Sequence, residues 1–433
     1  MTAVRPFRAL RYDPSRVELS RVIVPPYDVI AADEREGFYE RDPYNAIRFE
    51  LTRNLAEEAS TDYSEVGETL ATWRREGILA GDETPAYYVM AQRFTAPDGR
   101  KLERIGFFAE LGLENYESRV VLPHELTLAG PKADRLKVLR AARANLSSVF
   151  LLYEDREQVL AEILSSAFVQ GVVGRAVDDA GVEYVLARLD DPAGVETVRS
   201  FMADRSAVIA DGHHRYETAL AYRDEQRALL SQRDPEASQR DPEARFEGTL
   251  AYFANAYAPG SLLLPIHRVL LTSAVAAAPD AAQWAASLPD WQSRLVPLEA
   301  GASVSSLLAD HLAPLAGHPA FVADDGGDSL RLFWQDRPLG EDLGVRILER
   351  EVLGGVFGLE PAAIREGAVS FPKSAERAAL DVRSGVGCVA LYLNPLLPED
   401  VFRVTGSGEV MPPKSTFFYP KVPTGLVFRD HRD

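Results

Sequence analysis

Residues 207–216, Ala-Val-Ile-Ala-Asp-Gly-His-His-Arg-Tyr, constrain the fold of this chain more than any other stretch. Ala207-Val208-Ile209-Ala210 reads as a short buried strand. Tyr216, Ala219 and Leu220 then fall at i, i+3 and i+4, the spacing of one helix face. Asp211-Gly212 makes the turn between them, and Gly212 permits dihedrals that a side chain forbids. His213, His214 and Arg215 are thereby set at a helix N-terminus, where unpaired N–H groups and the positive dipole end favour an anion. The competing readings of His213-His214 are a surface pair, core histidines or half of a metal site. Adjacent helical residues point about 100° apart and chelate poorly, and a zinc site prefers an i, i+4 pair with further ligands.

A chain of 433 residues holds two or three domains, and its 46% apolar and 26% charged residues are ordinary for a globular protein. The net charge of −18 argues against binding nucleic acid or an anionic membrane through bulk charge. Cys388 is the one cysteine, so no intrachain disulfide forms, which suits a reducing cytoplasm. Met1 to Leu10 has no apolar core of a signal peptide, and no apolar run approaches the ~18 residues that span a bilayer. The expectation is a soluble, cytoplasmic protein without nucleic-acid or membrane partners.

Strand and helix signals alternate, which favours a mixed α/β (α+β) fold over a bundle. Val22-Ile23-Val24 reads as a strand ended by Pro25-Pro26, and Ser64 to Glu76 as a helix with Val66, Leu70 and Trp73 on one face. Tyr87 to Phe94 and Arg104 to Leu111 read as a hairpin turned at Pro97-Asp98-Gly99. Ala133 to Leu146 reads as a helix and Val149 to Tyr153 as a strand. Ser231 to Ala244 is Ser-Gln-Arg-Asp-Pro-Glu-Ala written twice, a solvent loop enlarged by duplication. The expected domains are a core over 1–270, an Ala-rich structural subdomain over 271–365, and a segment over 366–433 that returns Lys414 to Thr416 to the core.

Three further segments could carry chemistry. Pro123-His124-Glu125 places a carboxylate beside a histidine in a loop. Lys132, Arg135, Arg140 and Arg143 follow and share one side of a helix within roughly 140°; a solvated face is the competing reading. Pro412-Pro413-Lys414-Ser415-Thr416 supplies a point charge and two hydroxyls suited to phosphate. It lacks the glycines of a P-loop, and no dinucleotide fingerprint precedes any helix. Leu264-Pro265-Ile266-His267-Arg268 reads as structural.

On these segments the chain resembles the bacterial family called domain of unknown function 1015. They are Leu122 to Glu125, Ala210 to Tyr216, Leu264-Pro265 with His267-Arg268, and Met411 to Thr416 with Tyr419-Pro420-Lys421. A more distant resemblance is to the archaeal free serine kinases of the ParB and sulfiredoxin-like superfamily. Those are similar in carrying, in one order, the motifs seen here at Val24 to Asp28, Pro123 to Glu125, Asp211 to Arg215 and Pro413 to Thr416. Sulfiredoxin's Gly-Cys-His-Arg matches Gly212 to Arg215 and binds nucleotide phosphates. The spacings here are longer, and Phe417 stands where the kinases have Arg.

The resemblance implies a ParB/sulfiredoxin-like core with large insertions. It implies phosphoryl transfer from Mg²⁺ with ADP or ATP to a small hydroxyl metabolite such as serine. Glu125 would be the general base, and Asp211 would orient the acceptor or help hold Mg²⁺. Gly212, His213, His214 and Arg215 would cradle the donor phosphates, and Lys414, Ser415 and Thr416 would bind the transferred group. His124, Lys132, Arg135, Tyr27 and Asp28 are further candidates, and no resident metal ligands are assigned. Two rival classes are a nucleotide-binding or nucleotide-hydrolysing regulator of the ParB kind without DNA binding, and a metal hydrolase built on His124, His213 and His214.

Overall fold

Pro97-Asp98-Gly99 turns the expected hairpin. Tyr87–Thr95 and Lys101–Gly112 pair antiparallel from Thr95 opposite Lys101, and Gly99 takes a positive φ of 84° that a side chain would resist. The outer half of Lys101–Gly112 alternates exposed and buried, whereas its inner half is buried on both faces. That change marks the point where the ribbon enters the middle of a larger sheet.

The computed structural model describes residues 2–53, 61–125, 130–233, 244–275, 277–299 and 301–432. Two units divide the chain: Met1–Leu262 with Pro420–Asp433, and Leu263–Tyr419. Both combine helices with a main sheet, so the fold is mixed α/β. No described helix is long and apolar enough to cross a membrane.

The first unit is built on a nine-stranded sheet. Its order is Val121–Pro123, Ala207–Asp211, Val149–Tyr153, Gly248–Asn255, Lys101–Gly112, Tyr87–Thr95, Glu183–Leu189 and Val172–Val177, with Val4–Arg5 also on Lys101–Gly112. Val149, Leu151 and Tyr153 share one face with Ala207 and Ile209. Helices Ala161–Gln170, Pro192–Ala203 and His213–Arg233 cover it with Leu164, Ala167, Val198, Met202, Tyr216 and Ala219. On the other face Tyr252 lies between Phe108 and Phe150, at 5.0 and 5.4 Å. Arg104 is buried there over Phe150, donating to Gln92 Oε1 and to the Pro420 carbonyl. Gln92 Nε2 donates in turn to the Lys421 carbonyl at 3.0 Å. These bonds fix the last segment of the chain against the sheet.

Several sequence expectations need correction. Leu19–Val22 is one helical turn rather than part of a strand, and only Val24 makes a β-bridge, to Thr424. Pro25 and Pro26 have no N–H with which to extend a ladder. The helix expected over Ala133 to Leu146 is Gly130–Ala142. Arg143 beyond it has a positive φ of 50°, and Ala144–Asn145 pairs with Arg429–Asp430. The helix Ser64–Arg75 does bury Val66, Leu70 and Trp73 as its spacing requires. Most of the duplicated heptapeptide, 234–243, lies outside the described residues.

The second unit holds a six-stranded antiparallel sheet, ordered Gln292–Pro297, Ser329–Trp334, Ala320–Asp324, Gly387–Tyr392, Arg268–Leu271 and Val369–Ser370. Phe321 and Phe333 stack at 4.7 Å, with Trp284 against Phe333 at 4.9 Å. His267 is buried against Tyr392, and its Nδ1 has no hydrogen-bond partner. Burial, then the neighbouring Arg268, pushes its pKa down to about 4. The unfolded chain protonates this imidazole below ~6.5, but the folded unit does so only near the lower value. Stability therefore falls as pH drops from about 6.5 toward that value, by about 1.4 kcal/mol per unit of pH. A pH series of unfolding midpoints should show this slope, and His267→Gln should flatten it. An unchanged slope in the variant would assign the loss to other groups.

Candidate functional site

Parallel pairing of Val121–Pro123 with Ala207–Asp211 builds the site. With Ile209 opposite Pro123, both strands end at the same edge of the sheet. His124 and Glu125 therefore emerge beside Asp211 and Gly212, although the motifs are far apart in sequence. In open α/β sheets this carboxyl end of the strands is where ligands bind. The next element is the 21-residue helix His213–Arg233, whose first turn points its N–H groups into the same region.

Asp211 is the electrostatic centre. Its Oδ1 accepts from Lys421 Nζ, and its Oδ2 accepts from Arg215 Nη2 at 2.5 Å. Burial raises its pKa, but Lys421 and then Arg215 outweigh that and hold it far below the usual carboxylate range. Asp211 is thus a fixed anion with both oxygens engaged. Arg215 also donates through Nη1 to the Ser148 carbonyl, while its Nε is buried without a partner. Gly212 has a φ of 87°, and a Cβ there would lie 2.8 Å from Arg215 Nε. Glycine is needed for both the turn and the packing of the guanidinium behind it.

The two histidines of the inner site are committed to each other. The His124 backbone N–H donates to His213 Nε2 at 3.3 Å, and His124 Nδ1 donates to the Ile209 carbonyl. Their rings meet edge to face at 4.6 Å. Burial lowers both pKa values, that of His213 well below its ordinary value, so both are neutral at physiological pH. With Nε2 accepting, the proton of neutral His213 resides on Nδ1, which faces Glu125 Oε1 at 3.8 Å. Neither nitrogen of His213 then offers a lone pair to a metal. His214 follows on the same first turn and is partly buried.

Glu50 escaped the sequence reading. It is buried at the end of the short helix Ile47–Glu50, where it accepts from Thr424 Oγ1 at 2.5 Å and faces Arg135 at 3.6 Å. Arg135 donates to the Glu50 carbonyl and to Asp134, and its guanidinium lies 4.3 Å from the ring centre of Tyr27. Burial pushes the Tyr27 phenol up to about 12 despite the nearby Arg215. Asp28 next to it is exposed and acts on Arg215 through its charge. The basic helix face is corrected by these contacts. Arg135 turns inward, Arg140 pairs with Glu225 on the surface, and Arg143 lies past the helix end. Lys132 is on the helix, but its side chain lies outside the described residues.

Lys414, Ser415 and Thr416 belong to the second unit, whereas Lys421 belongs to the first. Lys414 adopts a left-handed φ of 59°, uncommon for a residue with a side chain, and the buried Ser415 hydroxyl donates to the Pro412 carbonyl at 2.6 Å. Lys421 is the second residue missed. It stands in the Tyr419-Pro420-Lys421 segment used for the family resemblance, and a lysine two residues after a strand carries no signal that it will meet Asp211.

No curated protein shows a significant sequence match to the chain. Among solved structures, a free serine kinase in complex with ADP superposes with a TM-score of 0.34 at 13% identity, over 74% of this chain and 92% of the other. A conserved hypothetical protein from Pyrococcus furiosus gives 0.32 at 12%, over 76% and 96%. SbnI from Staphylococcus aureus, truncated at its C-terminus, gives 0.34 at 11%, over 74% and 87%. Superpositions at this level say nothing of what the present chain binds. A family described as "Protein of unknown function (DUF1015)" matches residues 4–287, and the chain belongs to that family.

Proposed function

We propose that the first unit catalyses phosphoryl transfer from a nucleotide to a small hydroxyl metabolite. The observation that carries this reading is the meeting of Glu125 with the Asp211–Lys421–Arg215 cluster at the start of one long helix. Phosphoryl transfer needs positioning and charge stabilisation more than covalent chemistry from the protein. In the proposed step Glu125 takes the proton of the acceptor hydroxyl as its oxygen bonds to phosphorus. The bond from phosphorus to the donor's bridging oxygen breaks, and the shortened nucleotide leaves with that electron pair. Lys421 stabilises the transferred group, and the helix N–H groups beyond Gly212 hold the donor phosphates. Asp211 and Arg215 are positioning residues, because each of their bonds goes to the protein. His213 lies beside Glu125 at 3.8 Å and remains uncharged.

Mg²⁺ bound to nucleotide phosphates needs only one or two protein carboxylates. Asp28, exposed and close enough to act on Arg215 through its charge, fits that need; Asp211, engaged by two cations, does not, and Glu125 is kept for the acceptor's proton. The ion would neutralise phosphate charge when bound. Among the described residues no group of three or more His, Cys, Asp or Glu side chains is assembled for a metal.

The deciding experiment incubates the pure full chain with Mg²⁺, ADP or ATP, and a pool of hydroxy metabolites that includes serine. Mass spectrometry should find a phosphorylated acceptor whose formation needs both nucleotide and protein. Nucleotide hydrolysis that no acceptor stimulates would favour the regulator reading instead.

A further inference from the structure

Helix His213–Arg233 starts at the candidate site, and its later turns line a separate pocket of 480 Å³ in the first unit. That volume is typical of small-molecule sites. Its charge runs against that of the whole chain. In a protein of net charge −18, four arginines line the pocket, Arg140, Arg143, Arg245 and Arg432, against one carboxylate, Glu225. Glu225 is engaged by Arg140 at 2.7 and 2.9 Å, and Arg432 pairs with Asp430. Among the described residues, Arg143 and Arg245 form no ion pair.

Two further features distinguish this from a solvated surface. Arg143 is held at a φ of 50°, with its carbonyl accepting from the His431 N–H at 2.9 Å. This left-handed residue closes the helix Gly130–Ala142, its N–H donating to the Leu139 carbonyl at 2.9 Å, so its backbone is fixed at the pocket wall. His431 also lines the pocket. Its Nε2 bonds to Asn145, while its Nδ1 is buried without a partner. Leu229 and Leu230 add apolar surface, being 43% and 38% exposed, beside the Tyr222 ring.

Unpaired planar guanidinium groups match the oxygens of a phosphate through parallel N–H···O bonds. The neighbouring leucines and tyrosine suit a carbon skeleton rather than a bare ion. We propose that this pocket binds a phosphorylated small molecule, its phosphate on Arg143 and Arg245 and its carbon body on Leu229, Leu230 and Tyr222. No lining residue is assigned to phosphoryl transfer, so the two sites can be tested apart.

Phenyl phosphate and inorganic phosphate are the probes, titrated into the full chain at low ionic strength while the His431 imidazole resonance is followed by NMR. The resonance should move saturably, with phenyl phosphate several-fold tighter than inorganic phosphate. The double variant Arg143→Ala/Arg245→Ala should weaken that shift at least tenfold with an unchanged unfolding midpoint. Arg245→Gln, a milder change at an exposed position, should weaken it in the same direction. A stationary His431 resonance, equal affinity of the two probes, or a double variant that binds like the wild type would each overturn the proposal. Failure to find a phosphoryl acceptor would leave it standing, because the readout is binding at His431.

Discussion

Glu125→Gln lowers the rate of phosphoryl transfer about 10²–10⁴-fold and leaves nucleotide affinity within twofold. The expectation follows from what the substitution spares. Glu125 is 27% exposed at its side chain, at the rim of a site whose inner wall is the buried His213. The 3.8 Å separation from His213 Nδ1 exceeds a hydrogen bond, and His213 is neutral. No ion pair between them is therefore lost when the carboxylate becomes an amide. Glutamine fills the same volume but cannot accept the acceptor's proton. The donor phosphates, proposed to bind at Gly212 and the helix start, should not register the change. Single-turnover rates on the acceptor identified by mass spectrometry, with nucleotide affinity measured calorimetrically, give the two readouts. A variant that retains full turnover removes Glu125 as the base; one that also loses nucleotide binding gives it a different role.

Local order was legible in the sequence and long-range pairing was not. Ala207 to Tyr216 could be read as strand, turn and helix because each signal lies within a few residues: a buried apolar run, a glycine, then apolar positions at helical spacing. The hairpin at Pro97-Asp98-Gly99 was legible for the same reason. Nothing in Val121 to Glu125 announces a parallel partner in Ala207–Asp211, because such pairing is set by tertiary packing. Arg135 shows the converse failure. Helical spacing grouped it with Arg140 and Arg143, but spacing is blind to Glu50, whose buried carboxylate draws Arg135 inward. Glu50 itself leaves a faint trace, as an acid directly after the buried Ile47 and Phe49 in one short helix. Val22 to Val24 was misread because β-branched composition suits a strand, yet only Val24 finds a partner, Thr424.

Asp211→Ala should destabilise the first unit by about 3–5 kcal/mol, the usual cost of removing one partner from a buried ion pair. Lys421 and Arg215 would both lose their carboxylate, and their side chains are only 16% and 8% exposed. Water can reach neither freely, so two cations would be left close together in a poorly solvated setting. The destabilisation should also change the acid limb of the stability curve. A carboxylate held far below its ordinary value stabilises the fold above pH ~3.9 and loses that contribution as pH falls toward the native value. The wild type should therefore lose stability below about pH 4 more steeply than the variant. Asp211→Asn combined with Lys421→Met removes one charge of each sign and should recover part of the loss, as neutral replacements of buried pairs commonly do. Urea unfolding of the full chain, followed through the first-unit transition, measures all three proteins. If Asp211→Ala unfolds within about 0.5 kcal/mol of the wild type, the range of an ordinary surface substitution, Asp211 does not hold the two cations in solution. Lys421 would then lack the anchor that places it for the transferred phosphoryl group, and its role would fall together with that of Asp211.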